Sequence, residues 1–128
     1  MSGSMRIRVI THINSTWEEA FDYCKANHTD MLWIEDEDDQ KAVEQWLKNT
    51  DVGGGPFWIA MRQSRLFGFW IWSDRTVSWS NWKNGAQPEP TMLNQCGVIY
   101  KDDYKWGGEE CGRRLPFLCE EEIVFMNK

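Results

Sequence analysis

The first third of the chain has a hydrophobic pattern that predicts a strand followed by a helix. Residues 6–13 are rich in β-branched side chains, which favour an extended strand. Ser15 or Thr16 can then cap a helix, and Glu18 and Glu19 suit its first turn because the helix N-terminus favours negative charge. The apolar positions of this helix recur at helical spacing, at Trp17, Ala20, Phe21 and Cys24.

A second helix is predicted after the short apolar segment 31–34, with Asp36 as its N-cap and an end before Gly53. Its predicted inner face consists of Ala42, Val43, Trp46 and Leu47. Residues 35–39 are five consecutive acids, which raises the question of a cation site. We interpret them instead as the acidic start of a helix, because unsatisfied amides and the helix dipole favour carboxylates there.

The remaining chain predicts short strands separated by turns and one long loop. Single strands are expected over residues 57–61, 69–72 and 115–120. A hairpin is expected with strands over 96–100 and 104–106 and a turn at 101–103. Residues 79–95 contain mostly turn formers without periodicity, so they predict a long irregular loop, a usual place for a binding surface. Short strands that follow two helices indicate an α+β fold.

Length and charge limit the possible partners. At 128 residues the chain is of single-domain size, and we expect one domain over residues 6–128 after a vector-derived segment, residues 1–5. The formal charge of -6 argues against a nucleic-acid partner and against an anionic membrane surface, since both attract basic faces. No apolar run is long enough for membrane insertion by this domain.

The four cysteines indicate the compartment. They could form two disulfides or a metal site, and the lack of any Cys-x-x-Cys pair argues against zinc. Two disulfides predict an extracellular location, either secreted or in the ectodomain of a membrane protein. The sequons beginning at Asn14 and Asn27 agree with that location and are predicted glycosylation sites.

Residues at several positions along the chain resemble, in type and in order, those of the C-type lectin-like domain family. The similar positions are the first helix with Trp17, Glu19, Ala20 and Cys24, the strand Trp58-Ile59-Ala60-Met61, the pair Asn81-Trp82, and the ending Cys111 with Pro116-Phe117-Leu118-Cys119-Glu120. The resemblance covers residues 6–121 and implies two helices that flank small antiparallel sheets, with a long irregular loop. It also implies the disulfides Cys24–Cys119 and Cys96–Cys111.

In sugar-binding members of this family, calcium is held by a Glu-Pro-Asn or Gln-Pro-Asp motif, by an acid before a strand cysteine, and by a Trp-Asn-Asp motif. Here Gln87 and Glu89 resemble the galactose-type motif, and Asn94 replaces the acid. Trp106 is retained, but Gly107 and Gly108 replace the asparagine and the aspartate. The resemblance also implies a cis peptide bond before Pro88.

This donor set predicts that calcium is disfavoured as a cofactor. Calcium takes six to eight oxygen ligands and its affinity depends on the number of carboxylates, whereas each glycine offers only a backbone carbonyl. On a strand, Glu109 alternates to the face opposite Gly108 and does not replace the lost aspartate. Another register, in which Glu89-Pro90-Thr91 is a mannose-type motif, does not restore the lost ligands either.

The sequence therefore predicts a binding module that recognises a protein or a glycan without calcium, with no metal site. The alternative is a weak calcium-dependent lectin for galactose-type or mannose-type sugars. We expect no catalysis, because the cysteines are assigned to disulfides and the two histidines lack a nucleophile partner. The domain is also a candidate part of a larger receptor or tandem array. The predicted ligand contacts are Gln87, Glu89, Thr91, Met92, Asn94, Tyr100, Lys101 and Tyr104, with Phe67 and Phe69 as further exposed candidates.

Overall fold

The computed structural model describes residues 2–50, 53–64, 69–73, 75–88 and 94–126. These parts of the chain form two helices and eight strands. The helices are α1 (Trp17–Asn27) and α2 (Glu37–Asn49). The strands are β1 (Ser2–Ser15), β2 (Asp30–Met31), β3 (Phe57–Gln63), β4 (Trp70–Trp72), β5 (Arg75–Thr76), β6 (Gln95–Ile99), β7 (Trp106–Glu110) and β8 (Leu115–Met126).

Both helices begin where the sequence predicts. Thr16 caps α1 in a capping box, in which its hydroxyl accepts from the Glu19 backbone N–H and the Glu19 carboxylate accepts from the Thr16 N–H. Asp36 caps α2 by accepting from the Asp39 N–H at 2.8 Å. The acidic run is therefore a helix start, as predicted, and the described residues contain no acidic, histidine or cysteine cluster able to hold a metal.

The inner face of α2 differs from the prediction. Val43 and Leu47 are buried, but Ala42 is exposed and Trp46 only half-buried. The third buried position is Gln40, which is 2% exposed. The hydrophobic pattern did not include Gln40 because glutamine is polar. Its amide is hydrogen-bonded inside the protein, and these bonds remove most of the cost of burying a polar group.

The strands form one connected sheet instead of the separate small sheets that were expected. Its order is β1-β8-β3-β4-β5, with β2 added to β8, and with β6 placed between β3 and β7. The pairs are antiparallel except at β3 and β8, which run parallel at Trp58 and Phe117. The α+β class is confirmed, and the sheet carries the loops from which the site is built.

The first strand is longer than predicted. It begins at Ser2, inside the segment expected to be vector-derived, and it pairs with β8 as far as Met126. The long loop agrees with the prediction over residues 79–88, where the only ladder contact is an isolated bridge between Trp82 and Trp106.

The tryptophans build much of the core. Six of them are buried, and the other three pack against the buried cluster while partly exposed. The largest fully buried side chains include Trp58, Trp72 and Trp106. Aromatic side chains of this size contribute most of the buried apolar area in a small domain.

Two disulfides have the implied pairing. Cys24–Cys119 joins α1 to β8, and Cys96–Cys111 joins β6 to the turn after β7. The predicted glycosylation asparagines, Asn14 and Asn27, are both exposed. The Asn27 side-chain amide donates to the Tyr23 carbonyl at 3.0 Å, and glycosylation at either position stays a prediction.

Candidate binding site

The hairpin β6–β7 forms the centre of the candidate site. Its strands pair from Gln95 opposite Glu110 to Ile99 opposite Trp106. The second strand was predicted over 104–106, but it starts at Trp106 because Tyr104 belongs to the turn. Tyr104 has a left-handed φ of 59°, and its N–H donates to the Tyr100 carbonyl at 2.8 Å.

Trp106 fixes the long loop onto this hairpin. Its backbone N–H donates to Asn81 O, and its carbonyl accepts from Lys83 N–H, both at 2.8 Å. Its buried ring lies edge-on to Trp72, Trp79 and Trp82 at centroid distances of 5.2, 5.7 and 6.0 Å. The loop segment 81–83 is therefore held by both backbone bonds and ring packing.

Gly107 has no room for a side chain. A Cβ at this position would lie 2.6 Å from Cε2 and 2.8 Å from the hydroxyl of Tyr100, closer than real Cβ contacts. Tyr100 is held there because its hydroxyl donates to the Glu109 carboxylate at 3.1 Å. Burial, with the nearby Glu109 charge and hydrogen bond, raises the pKa of Tyr100.

The space beside Gly108, on the other face of the strand, is also occupied by side chains. A Cβ there would overlap the side-chain oxygen of Gln95 and would lie 3.0 Å from the Trp70 ring. The two glycines alternate across the strand, so Tyr100 covers one face and Gln95 with Trp70 covers the other. A side chain at either position would therefore meet protein atoms at its Cβ.

Among the described residues, the groups around Gly107 and Gly108 do not supply the side-chain oxygens that a calcium ion would need there. Gly107 and Gly108 provide no side-chain oxygen, and the carboxylate of Glu109 is already bonded to Tyr100 and to Arg113. The described residues contain no group of three or more acids, histidines or cysteines arranged for a metal. Glu89 lies outside the described residues.

A lysine that the sequence analysis did not single out lies over Tyr100. The Lys83 ammonium is 4.6 Å from the Tyr100 ring centroid, 3.0 Å from Asp103 and 3.3 Å from Asp102. The hydrogen bond to Asp103 raises the pKa of Lys83, although the group is exposed. At Asp103, burial is the largest single cause and acts to raise the pKa, but the hydrogen bonds from the Lys105 N–H and from Lys83 together outweigh it and lower the pKa of that carboxyl.

The predicted contact residues that the structure describes do not form one cluster. Gln87 lines a shallow groove of about 310 Å³ with Phe69, Trp70 and Trp82. Asn94 instead lines a cleft of about 440 Å³ beside the Cys96–Cys111 disulfide. Glu89, Thr91, Met92 and Phe67 lie outside the described residues.

Three predicted contacts lie on the hairpin turn, and two of them have structural roles. Tyr100 and Tyr104 pack partly buried against the core, and the Tyr104 carbonyl accepts from both Gln40 and Asn81. Lys101 is half-buried. Of the aromatic candidates, Phe69 is confirmed as exposed, at 46%.

One geometric expectation for the loop is wrong. The resemblance implied a cis peptide bond before Pro88, but the cis bond recorded among the described residues lies between Gly55 and Pro56. Gln87 and Pro88 are both described, and their peptide bond is trans.

Comparison with known proteins defines the family. A family model described as Lectin C-type domain matches residues 13–121, so the chain belongs to the C-type lectin domain family, whose members are binding modules. The chain is 27% identical over 125 residues to the mouse secretory phospholipase A2 receptor and 29% identical over 111 residues to mouse L-selectin. It spans 8% and 28% of the length of these two relatives, respectively.

Solved structures agree on the fold. Human lithostathine superposes with a TM-score of 0.81 at 19% identity, with 92% of each chain covered. The carbohydrate-recognition domain of mouse scavenger receptor C-type lectin gives 0.76 at 22% identity, with 91% of this chain and 90% of that chain covered. In the described part of the chain, no helix has the length and apolar character needed to cross a membrane.

Proposed function

We propose that this domain is an extracellular recognition module that binds a protein or glycan ligand without calcium at the position of the family's sugar site. One observation carries the proposal: the space beside Gly107 and Gly108 is filled by Tyr100 on one face and by Gln95 with Trp70 on the other. A calcium site at this position would need ligand side chains where the fold has packed its own.

The two disulfides support the extracellular part of the proposal, since such bonds persist in oxidising compartments. The relatives support its receptor part. The phospholipase A2 receptor and L-selectin are much longer than this chain, so a role as one domain of a larger receptor is proposed with it. The ligand surface proposed is the groove beside Gln87 and Phe69, together with the described loop residues that line it, Ser80 and Trp82.

The test compares the native domain with and without calcium. Thermal unfolding in excess EDTA and in millimolar calcium should give the same Tm, because a ligand that does not bind the native state adds no stability. A glycan array and a screen of cell-surface proteins, each run with and without EDTA, should give signals that do not depend on the chelator.

Two results together would contradict this proposal. Calcium binding measured by calorimetry, together with sugar binding that is lost in EDTA and in Gln87→Ala and Glu89→Ala, would establish the weak calcium-dependent lectin instead. The matched control is Gln45→Ala, an exposed glutamine on α2 far along the chain from the loop.

A further inference from the structure

A second cleft lies away from the glycine positions, between the start of α1 and the start of β6. Its volume is about 440 Å³, and its floor includes Trp17 and the Cys96–Cys111 disulfide. The Trp17 backbone N–H donates to the Cys111 carbonyl at 3.0 Å, and the Trp17 indole N–H donates to Ile59 O at 2.8 Å. The first bond joins the start of α1 to the disulfide, and the second joins it to β3.

Arg62 stands at the centre of this region. It projects from β3 opposite Cys96, and it lines both this cleft and a neighbouring one of about 340 Å³ that contains Phe21 and Asp22. Arg62 is exposed, and within the described part of the chain its guanidinium has no ion-pair or hydrogen-bond partner. All the N–H donors of such a guanidinium group are available to a ligand.

Two further polar side chains of the cleft are also without partners among the described residues. The Asn94 carboxamide offers both a donor and an acceptor, and the Glu18 carboxylate offers acceptors. Glu18 lines the same cleft as Arg62, yet the two form no ion pair. Counting only interactions among the described residues, the cleft presents one unpaired cation, one unpaired anion and one unpaired amide beside Trp17 and the disulfide.

We propose that this cleft binds a sugar acid, with the carboxylate on Arg62 and the ring hydroxyls on Asn94 and Glu18. A guanidinium binds a planar carboxylate through two parallel hydrogen bonds, which a neutral sugar does not supply. A ring hydroxyl donates and accepts at once, so it suits both Glu18 and the Asn94 amide. This site is separate from the Gln87 groove, and it uses Asn94 in a role that needs no metal.

The cleft favours a saccharide over an acidic peptide because of Glu18 and the neighbouring Asp22. A peptide rich in acids would bring several carboxylates close to these two, whereas a uronic acid brings one carboxylate and several hydroxyl donors. The volume also suits one or two sugar rings rather than an extended chain of side chains.

The experiment is an NMR titration of the whole domain in excess EDTA with two matched probes, methyl glucuronide and methyl glucoside. They differ at one carbon, which is a carboxylate in the first and a hydroxymethyl group in the second. We expect the glucuronide to bind about tenfold more tightly, because charge-assisted hydrogen bonds exceed neutral ones by about that factor. The shifted signals should be those of the Arg62 Nε–H and of the Asn94 side-chain amide.

Three variants separate the contributions. Arg62→Gln should remove the preference for the carboxylate and leave weak binding of the neutral probe. Asn94→Asp should weaken the glucuronide through charge repulsion, while Glu18→Gln should strengthen it. The control is Arg114→Gln, an exposed arginine that pairs with Glu19 at 3.2 Å and does not line the cleft.

The proposal is overturned if the two probes bind equally, if neither binds, or if the shifts fall outside the cleft. It is also overturned if a short Asp-rich peptide binds the cleft more tightly than the glucuronide, which would indicate a protein ligand. Because the titration is done in EDTA, its result does not depend on whether the Gly107–Gly108 position binds calcium.

Discussion

The side-chain oxygen of Gln40 accepts a hydrogen bond from the indole nitrogen of Trp106 at 3.0 Å, and both residues are buried. The amide nitrogen of Gln40 donates to the Tyr104 carbonyl at 2.8 Å and to Glu44 at 3.0 Å. One glutamine on α2 thus satisfies the polar groups at the start of β7. The candidate site depends on this helix although no site residue lies on it.

Replacing Gln40 should destabilise the domain more than replacing an exposed glutamine. Gln40→Met keeps the volume but leaves the Trp106 N–H without a partner, at a cost of about 2 to 3 kcal/mol in the free energy of unfolding. The Tyr104 carbonyl keeps its bond from Asn81 at 3.1 Å, which limits the loss. Urea unfolding measures the effect. The matched change Gln45→Met on the same helix should stay within about 0.5 kcal/mol, and equal costs for the two would contradict the role assigned to Gln40.

A side chain at Gly107 should be tolerated only when Tyr100 is removed. Gly107→Ala forces the Tyr100 ring away from its bond to Glu109, and we expect a loss of about 1 to 2 kcal/mol, the usual cost of overpacking. In a Tyr100→Ala background the same change should cost much less. A double-mutant cycle by urea unfolding gives the coupling free energy directly.

The same double-mutant cycle tests whether Tyr100 occupies the space beside Gly107, where a calcium ligand would stand. If Gly107→Ala lowered the free energy of unfolding equally with and without Tyr100, the Tyr100 ring would not fill that space. The position of the metal ligand would then be open. The combination Gly107→Asn, Gly108→Asp should gain no calcium affinity, because the new side chains compete with Tyr100 and Gln95 for the same space. Calorimetry with calcium on that variant measures this.

Ionisation of Tyr100 should occur at higher pH than that of an ordinary tyrosine. Burial and then Glu109 raise its pKa above the usual value of about 10. A group whose pKa is raised by folding stabilises the native state below its unfolded pKa, and this contribution is lost as the pH rises through the folded pKa. Stability should therefore fall above about pH 10.

The measurement is the ultraviolet absorbance titration of tyrosinate, with Tyr100→Phe used to assign the latest step. Glu109→Gln should move that step to lower pH, because it removes the neighbouring charge but leaves the ring buried. A step that stayed in place in Glu109→Gln would exclude the carboxylate as a cause of the shift.

The two disulfides should contribute unequally. Cys24–Cys119 spans 95 positions and Cys96–Cys111 spans 15. In the chain-entropy model these loops correspond to about 4 to 5 and about 3 kcal/mol. Paired alanine substitutions compared by urea unfolding should follow that order, and the reverse order would show that native contacts outweigh loop length.

A buried ion-pair network should hold the first strand to the second helix. Arg6 donates to Glu120 at 2.6 and 2.9 Å, donates to Asp39 at 2.7 Å, and lies 4.6 Å over the Trp33 ring. Burial opposes the charge of Arg6, but Glu120 and Asp39 outweigh it and raise the pKa of the guanidinium. Arg6→Met leaves Glu120 buried without its partner, so we expect a loss of about 3 kcal/mol in urea unfolding.

The matched change is Arg113→Met, which removes an exposed pair with Glu109 and should cost less than about 1 kcal/mol. Adding Glu120→Gln to Arg6→Met should recover part of the loss. If it recovered none, the cost would come from packing against Trp33 instead of from the unpaired carboxylate.

Local signals predicted the elements well where short-range physics sets them. Thr16 and Asp36 cap their helices because a side-chain oxygen three residues before an amide needs no tertiary partner. Tyr104 was misassigned to a strand because its aromatic side chain favours an extended conformation, while its left-handed backbone is imposed by the turn. Gln40 was missed because its burial depends on partners 64 and 66 positions away.

The sequence by itself determined the α+β class, both helix starts and the two sequons, since these follow from residue type and local spacing. The absence of two calcium ligands at Gly107 and Gly108 followed from the family resemblance. Only the tertiary structure decided what fills those two positions. It also decided that Gln87 and Asn94 line different clefts, and that Arg62 lies beside a disulfide without a partner among the described residues. The physical reason is distance along the chain: these relationships join residues from separate strands and a helix, and no local pattern specifies which side chains meet when the sheet forms.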